Sequence, residues 1–176
     1  MKDSIWFTYK ARIQAAQRLA RSDFHSQALL VWYAFFSAAL AIVTVRYPKI
    51  LGSNTDLTAA VLGVGLLVLS MFVTSQDFRG RSIAMRSNYL ALQALHNAMT
   101  QAPSPTDIAK YNELLAAVEN HTEIDDKRFR VFHKGKLTRP ASRYEAFEIH
   151  AYLALRAGIL TLLYVAPFGL LLLSAP

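Results

Sequence analysis

The sequence predicts an all-α membrane protein: an N-terminal amphipathic helix, a two-span helical hairpin, a cytoplasmic helical hairpin and a third span at the C-terminus. Two observations carry this. Apolar residues make up 53% of the 176 residues and charged ones only 18%, which is rich for a soluble chain of one-domain length. Charges are also absent from three stretches of 20 residues: between His25 and Arg46, between Asp56 and Asp77, and after Arg156. At about 1.5 Å per residue, 20 helical residues cover the roughly 30 Å of a bilayer's hydrocarbon core.

Residues 1–25 form the first element. In "SIWFTYKARIQAAQRLARSDF", Trp6, Tyr9, Ile13, Ala16 and Ala20 recur at steps of three and four, with Lys10, Arg12, Arg18 and Arg21 mostly elsewhere. This is a basic amphipathic helix, suited either to lie among lipid headgroups or to pack its apolar side on the cytoplasmic part of the chain. The transmembrane hairpin follows over 26–76, with spans at 26–45 and 57–76. "SQALLVWYAFFSAALAIVTV" and "LTAAVLGVGLLVLSMFVTSQ" are apolar on all faces, whereas the core helix of a soluble protein is normally shorter and amphipathic. The first run begins too far into the chain and is too long for a signal peptide, so an anchored chain is expected. The third run, 157–176, contains Pro167 and Gly169. A proline frees a backbone carbonyl and kinks a helix but is tolerated in spans; an interfacial or re-entrant tail is the alternative.

Lys and Arg counts set the expected orientation. Lys2, Lys10, Arg12, Arg18 and Arg21 precede the first span and twelve more lie in 76–156, while the turn "RYPKILGSNTD" has only Arg46 and Lys49. By the positive-inside rule the N-terminus and the segment 77–156 are cytoplasmic and the turn faces outward. This bias accounts for much of the net charge of +7, so direct nucleic-acid binding is not expected. The chain has no cysteine, which excludes a disulfide framework, a thiol nucleophile and a thiolate metal site.

Within 77–156, Met85, Tyr89, Leu92, Leu95 and Met99 form an apolar stripe, predicting that the second span's helix continues to about Ala102. "APSPTD" breaks it, and Ser104, Pro105 and Asp107 start a second helix through a capping box. Ile108, Tyr111, Leu115 and Val118 supply the facing stripe of the antiparallel partner. Ser142 with Glu145 starts the helix that enters the last span.

The stretch "YNELLAAVENHTEIDDKRF" at 111–129 gathers Glu119, Asn120, His121, Glu123, Asp125 and Asp126 at the expected end of that second helix. His121 and Asp125, four apart, share a face and offer two ligands to a metal, a weak signal. Glu123 with Lys127 and Asp126 with Arg130 are spaced as ordinary helix ion pairs. A solvated helix face is preferred, with no metal and no cofactor. The following "KRFRVFHKGKLTRPASR" holds seven Lys or Arg in 17 residues. It suits an anionic messenger, nucleic acid or lipid headgroups, with topogenic charge as the plainer explanation. Nothing orders a nucleophile, base and oxyanion donor together, so a non-enzyme with no catalytic residue is expected.

Five stretches carry a family resemblance: "KARIQAAQRL" before the first span, the two closely spaced spans, "DFRGR" after the second, "YLALQAL" on the emerging helix, and Tyr111-Asn-Glu-Leu-Leu followed by Glu119-Asn120-His121 and Asp125. Over about residues 5–130 the chain resembles the SLATT proteins, the SMODS and SLOG-associating two-transmembrane effectors of bacterial conflict systems. Gly80 interrupts the helical exit expected of the family, and the third apolar run lies outside its two-span description. The resemblance implies a multi-pass protein of the bacterial inner membrane that opens pores or disrupts the membrane. Its trigger would be a partner sensor, nucleotide-signal synthase or reverse-transcriptase system that detects phage. It also implies that Glu119, Asn120, His121 and Asp125 fix helix packing or receive the signal; Lys127, Arg128 and Arg130 of the basic stretch are further candidate partner contacts by their charge.

Three functions compete on this basis. A homo-oligomeric pore is favoured by the resemblance and by Ser26, Tyr33, Ser37 and Thr44, which share one face of the first span. Such stripes also pack spans together, as Ala59, Gly63, Ser70 and Thr74 do in principle in the second. The alternatives are a non-conducting anchored module that recruits a partner through 77–150, and a holin-like lysis protein, which the large cytoplasmic region disfavours. Membrane lipid is a partner in all three.

Overall fold

The computed structural model describes residues 1–50, 52, 55–99, 103–133, 135 and 137–173, with side chains through residue 169. It is all helical among the described residues: α1 (Lys2–Arg46), α2 (Thr55–Ser75), α3 (Phe78–Ala98), α4 (Pro105–Ala116), α5 (Glu123–Phe132) and α6 (Arg143–Leu173). Three helical stretches, within Lys2–Arg46, Thr55–Ala98 and Arg143–Gly169, are long and apolar enough to cross a bilayer. The chain divides into two units. A helical unit comprises Met1–Ser22 and Phe78–Leu153, and an apolar unit comprises Asp23–Asp77 and Ala154–Pro176.

Helix α1 is 45 residues long because nothing in it breaks a helix. It contains neither glycine nor proline, and it stops at Arg46, two residues before Pro48, where the residue preceding a proline is pushed out of the α region. The expected uninterrupted passage from the second span to about Ala102 is not observed. α2 ends at Ser75 and α3 begins at Phe78, with Asp77 in the left-handed region at φ 43°, a conformation that Asp adopts more readily than most residues. The interruption therefore lies at Asp77, and Gly80 sits inside α3. α3 ends at Ala98; residues 100–102 lie outside the described residues.

The remaining helices begin on reciprocal caps. The Asp107 amide donates to Ser104 Oγ at 3.1 Å while the Ser104 amide donates to Asp107 Oδ2 at 2.9 Å, which holds the Asp107 carboxyl below its ordinary range. Ser142 and Glu145 repeat the arrangement at the start of α6, with Ser142 N to Glu145 Oε2 at 2.8 Å and Glu145 N to Ser142 Oγ at 3.1 Å.

In the helical unit the first part of α1 is the central element. Ile5 and Tyr9 pack with Leu92 and Met99 of α3 and Leu114 of α4, and Trp6, Ile13, Tyr89, Leu95 and Tyr111 surround them. One turn on, Ala15 and Ala16 meet Met85, flanked by Tyr89 and Val118. Alanines at 11, 15 and 16 let neighbouring backbones approach closely, and Ala11 and Ala15 have no exposed surface. Of the two expectations for this helix, the structure shows the packed one. Of the expected stripe, Trp6, Tyr9, Ile13 and Ala16 face this core and Ala20 is exposed; the buried surface is wider than expected, since Arg12, Ala15 and Leu19 are fully buried as well. On α4, similarly, Leu114 turns inward while Ile108 is 44% exposed.

In the apolar unit, Trp32 and Phe36 of α1 pack on Phe168 of α6 with ring centroids 5.7 Å apart in both pairs. A cavity of about 330 Å³ is lined by Tyr33, Phe36 and Ser37 of α1, Val61 and Gly65 of α2, and Pro167 of α6, among others. Val31, Phe35, Ile42, Val61, Val64, Val68, Phe72, Ile159 and Leu162 are exposed, a surface suited to lipid rather than water.

The widened buried face of α1 makes a prediction. Ala15→Leu should destabilise the protein by about 1–3 kcal/mol through overpacking, whereas Ala20→Leu should stay within about 0.5 kcal/mol. Denaturant unfolding of purified protein in detergent measures both. Equal effects would contradict the burial of Ala15 and the exposure of Ala20.

Candidate functional site in the charged seam of the helical unit

The expected site residues fall on a seam of charge that runs through the helical unit. Its deepest member is Arg12, whose side chain has no exposed surface. Arg12 Nη1 donates to Asn88 Oδ1 of α3 and to the Leu114 carbonyl at 3.0 Å, and Nη2 donates to the Leu115 carbonyl at 3.2 Å. Asn88 Nδ2 also donates to the Leu114 carbonyl, at 2.8 Å. Those carbonyls belong to the last turn of α4, which has no intrahelical donor for them and carries the negative end of the helix dipole. A buried cation thus replaces the missing donors. Burial lowers the Arg12 pKa, partly opposed by Tyr111.

Six residues further along α1, Arg18 forms a two-pronged ion pair with Asp125, Nε to Oδ1 at 2.9 Å and Nη2 to Oδ2 at 3.0 Å. Asp125 is 1% exposed. Its Oδ2 also accepts from the Thr122 amide at 3.0 Å and the Thr122 hydroxyl at 2.7 Å, so one carboxylate both starts α5 and docks it on α1. The hydrogen bond to Asp125 raises the Arg18 pKa.

The expected placement of His121 and Asp125 on one helical face is overturned. α4 ends at Ala116, residues 117–122 connect, and α5 begins at Glu123, so His121 precedes the cap while Asp125 lies inside the new helix. Both Asp125 oxygens already accept hydrogen bonds. His121 is half-buried, and its Nδ1 is buried without a hydrogen-bond partner among the described residues. Burial holds its imidazole pKa low, as does Arg12, against the opposing pull of Asp126 and Asp125. Asn120 is exposed. Glu119 pairs with Arg81, Oε1 to Nε at 3.0 Å and Oε2 to Nη2 at 2.7 Å, which joins "DFRGR" to "ENH".

The basic stretch is largely committed to internal pairs. Lys127 binds Glu148 at 2.7 Å and Glu123 at 2.9 Å, and these carboxylates raise its pKa. Arg130, 2% exposed, holds Glu145 at 2.8 Å and Asp126 at 3.1 Å. Arg128 is half-buried, Arg139 is 78% exposed at 3.6 Å from Glu145, and Lys134 and Lys136 lie outside the described residues. Arg12, Asn88, Arg18 and Arg81 were not among the expected site residues. For Arg12 the signal was present: it sits between Ala11, Ala15, Ala16 and Leu19, small or apolar residues at helical spacing on every side.

The first-span stripe is divided in its contacts. Tyr33 donates to the Leu163 carbonyl at 2.9 Å, Ser37 lines the apolar cavity, Thr44 donates to the Ala41 carbonyl of its own helix at 2.8 Å, and Ser26 is half-buried.

Two predictions follow from the seam. Arg12→Lys retains the charge but not the planar fork that reaches three acceptors, and should lower stability by about 2–4 kcal/mol. A loss below about 0.5 kcal/mol in denaturant titration would contradict the role of Arg12. The second concerns acid. The Arg130 guanidinium, and next the Ser142 amide, pull the Glu145 carboxyl down to about 2. A depressed carboxyl contributes stability that is fully present above its unfolded pKa of about 4.3 and is lost as pH falls toward the folded value. Glu145→Gln should therefore flatten the stability profile between about pH 4.5 and 2 relative to wild type; parallel profiles would place the acid sensitivity elsewhere.

The model of one protein family matches residues 1–173, a span that takes in all six helices including the third long apolar one. No curated protein and no solved structure matches the chain. Coverage of nearly the whole length, added to a helical unit and an apolar unit with membrane-crossing helices, shows that the chain belongs to the SMODS and SLOG-associating 2TM effector domain family 5.

Proposed function

We propose that this chain is the membrane effector of a bacterial anti-phage defence system. It resides in the inner membrane with its N-terminus and helical unit in the cytoplasm. A partner sensor, nucleotide-signal synthase or reverse-transcriptase system acts on the helical unit, and the protein then permeabilises the membrane as a homo-oligomer. It performs no catalysis. The family match over residues 1–173 carries this proposal. Physical support comes from α1 and α6, each of which contributes residues to both units. A displacement of the charged seam therefore has two covalent helical routes into the bilayer.

The oligomer follows from solvation. Three spans whose outward side chains are Val, Ile, Leu and Phe have no wet interior of their own, and conduction requires polar groups from several copies to converge. The Tyr33 hydroxyl is engaged by α6 in the single chain, which favours a second reading in which the spans only anchor a recruiting module.

Orientation and conduction are tested separately. A reporter inserted after Ser104 should be cytoplasmic and one near Gly52 periplasmic; the same side for both would reject the hairpin. On activation in cells, the membrane potential should collapse. Ser37→Leu should abolish the leak while crosslinked oligomers persist, and Ala39→Leu should matter less. Toxicity with an intact membrane potential in the activated wild type would favour the anchored recruiting module.

A further inference from the structure

We infer that Trp32 and Tyr33 of α1 form a latch on a hinge at Pro167 of α6, and that release of this latch is the opening movement of the apolar unit. Pro167 lies inside α6 and has no amide N–H, so the carbonyl four residues earlier, that of Leu163, has lost its helical donor. In a bilayer no water replaces it. The structure supplies the replacement from another helix: Tyr33 Oη donates to the Leu163 carbonyl at 2.9 Å, and Trp32 Nε1 donates to the adjoining Tyr164 carbonyl at 3.1 Å. Aromatic packing holds the same turn, since Trp32 and Phe36 both contact Phe168.

The hinge has room beside it. Pro167 is fully buried, yet it lines the cavity of about 330 Å³ together with Tyr33, Ser37 and Gly65. A Cβ added to Gly65 would meet nothing within 4 Å. The turn after Pro167 therefore has space into which to swing, and a helix interrupted at proline bends there in preference to anywhere else. With the latch closed, the Tyr33 hydroxyl and Leu163 carbonyl satisfy each other and the cavity wall is effectively apolar. With it open, both groups and Ser37 face the cavity and favour water within it, which is how an apolar constriction becomes wet.

The test is a double-mutant cycle on the full-length protein in lipid nanodiscs, read by thermal unfolding. Tyr33→Phe removes only the hydroxyl and should lower the midpoint by about 4 °C. In a Pro167→Ala background the restored amide pairs with the Leu163 carbonyl, and the same substitution should then shift the midpoint by less than about 1 °C. Equal shifts in both backgrounds overturn the latch. If Tyr33→Phe is not recovered from membranes, recovery of the double variant at wild-type yield supports the latch, and loss of both overturns it. The opening movement is read from dye-loaded liposomes, where Tyr33→Phe should leak several-fold faster than wild type and Pro167→Ala more slowly. A coupled cycle with unchanged leakage would leave the donors as a static cap and overturn the hinge. This second measurement rests on the permeabilising function proposed above; the unfolding cycle does not, so the two can fail independently.

Discussion

The helical unit depends on one buried cation without a carboxylate partner. Removing the Arg12 guanidinium from water carries a penalty of several kcal/mol, which has to be offset by the groups around it. They are the carbonyl oxygens that end α4 and the side-chain carbonyl of Asn88. Each side solves the other's problem. A helix end buried without donors and a guanidinium buried without acceptors are both unfavourable, and pairing them satisfies the two carbonyls and both terminal nitrogens of Arg12, while its buried Nε has no partner among the described residues. The consequence is positional, because a planar fork directed at two successive carbonyls fixes α1 against both α3 and the end of α4.

Arg18 and Asp125 extend this logic by nearly two helical turns. Asp125 can cap α5 only if α5 begins at Glu123, and can meet Arg18 only if the chain turns between α4 and α5 as it does. The Glu119–Arg81 pair secures the start of that connection, and Arg130, held by Asp126 and Glu145, ties α5 to the first turn of α6. The acidic cluster is therefore chiefly an assembly device: Glu119 and Asp125 reach arginines on α3 and α1, while Asp126 and Glu123 pair with Arg130 and Lys127 within α5. His121 is the member whose buried ring nitrogen remains without a partner among the described residues.

Much of the architecture was legible in the sequence because it is written in local, strong signals. Twenty-residue apolar stretches specify membrane-crossing helices, and Ser104 with Asp107 and Ser142 with Glu145 specify helix starts, since each capping box needs only residues three apart. The misreadings have separate physical causes. Periodicity assumes one wet face, but the first part of α1 is surrounded, so a buried arginine was assigned to the solvent side. A continuous helix was expected through Asp77 because the apolar stripe from Met85 to Met99 follows the second span closely, yet Asp tolerates the left-handed conformation that ends α2. His121 and Asp125 were placed on one face because the capping role of Thr122 was not recognised. Tyr33 gave no sign of its partner, since its bond to the Leu163 carbonyl joins residues 130 positions apart.

The central claim is that α1 is held in the helical unit by side-chain and carbonyl contacts rather than laid on a lipid surface. Hydrogen exchange of the detergent-solubilised, lipid-free protein tests it most directly. Docking as described predicts that the amides of Ile5–Leu19 exchange as slowly as those of α3, with slow exchange extending into α4. Fast exchange over Ile5–Leu19 beside a protected α3 would show that α1 has no anchorage in the unit, and would contradict the account.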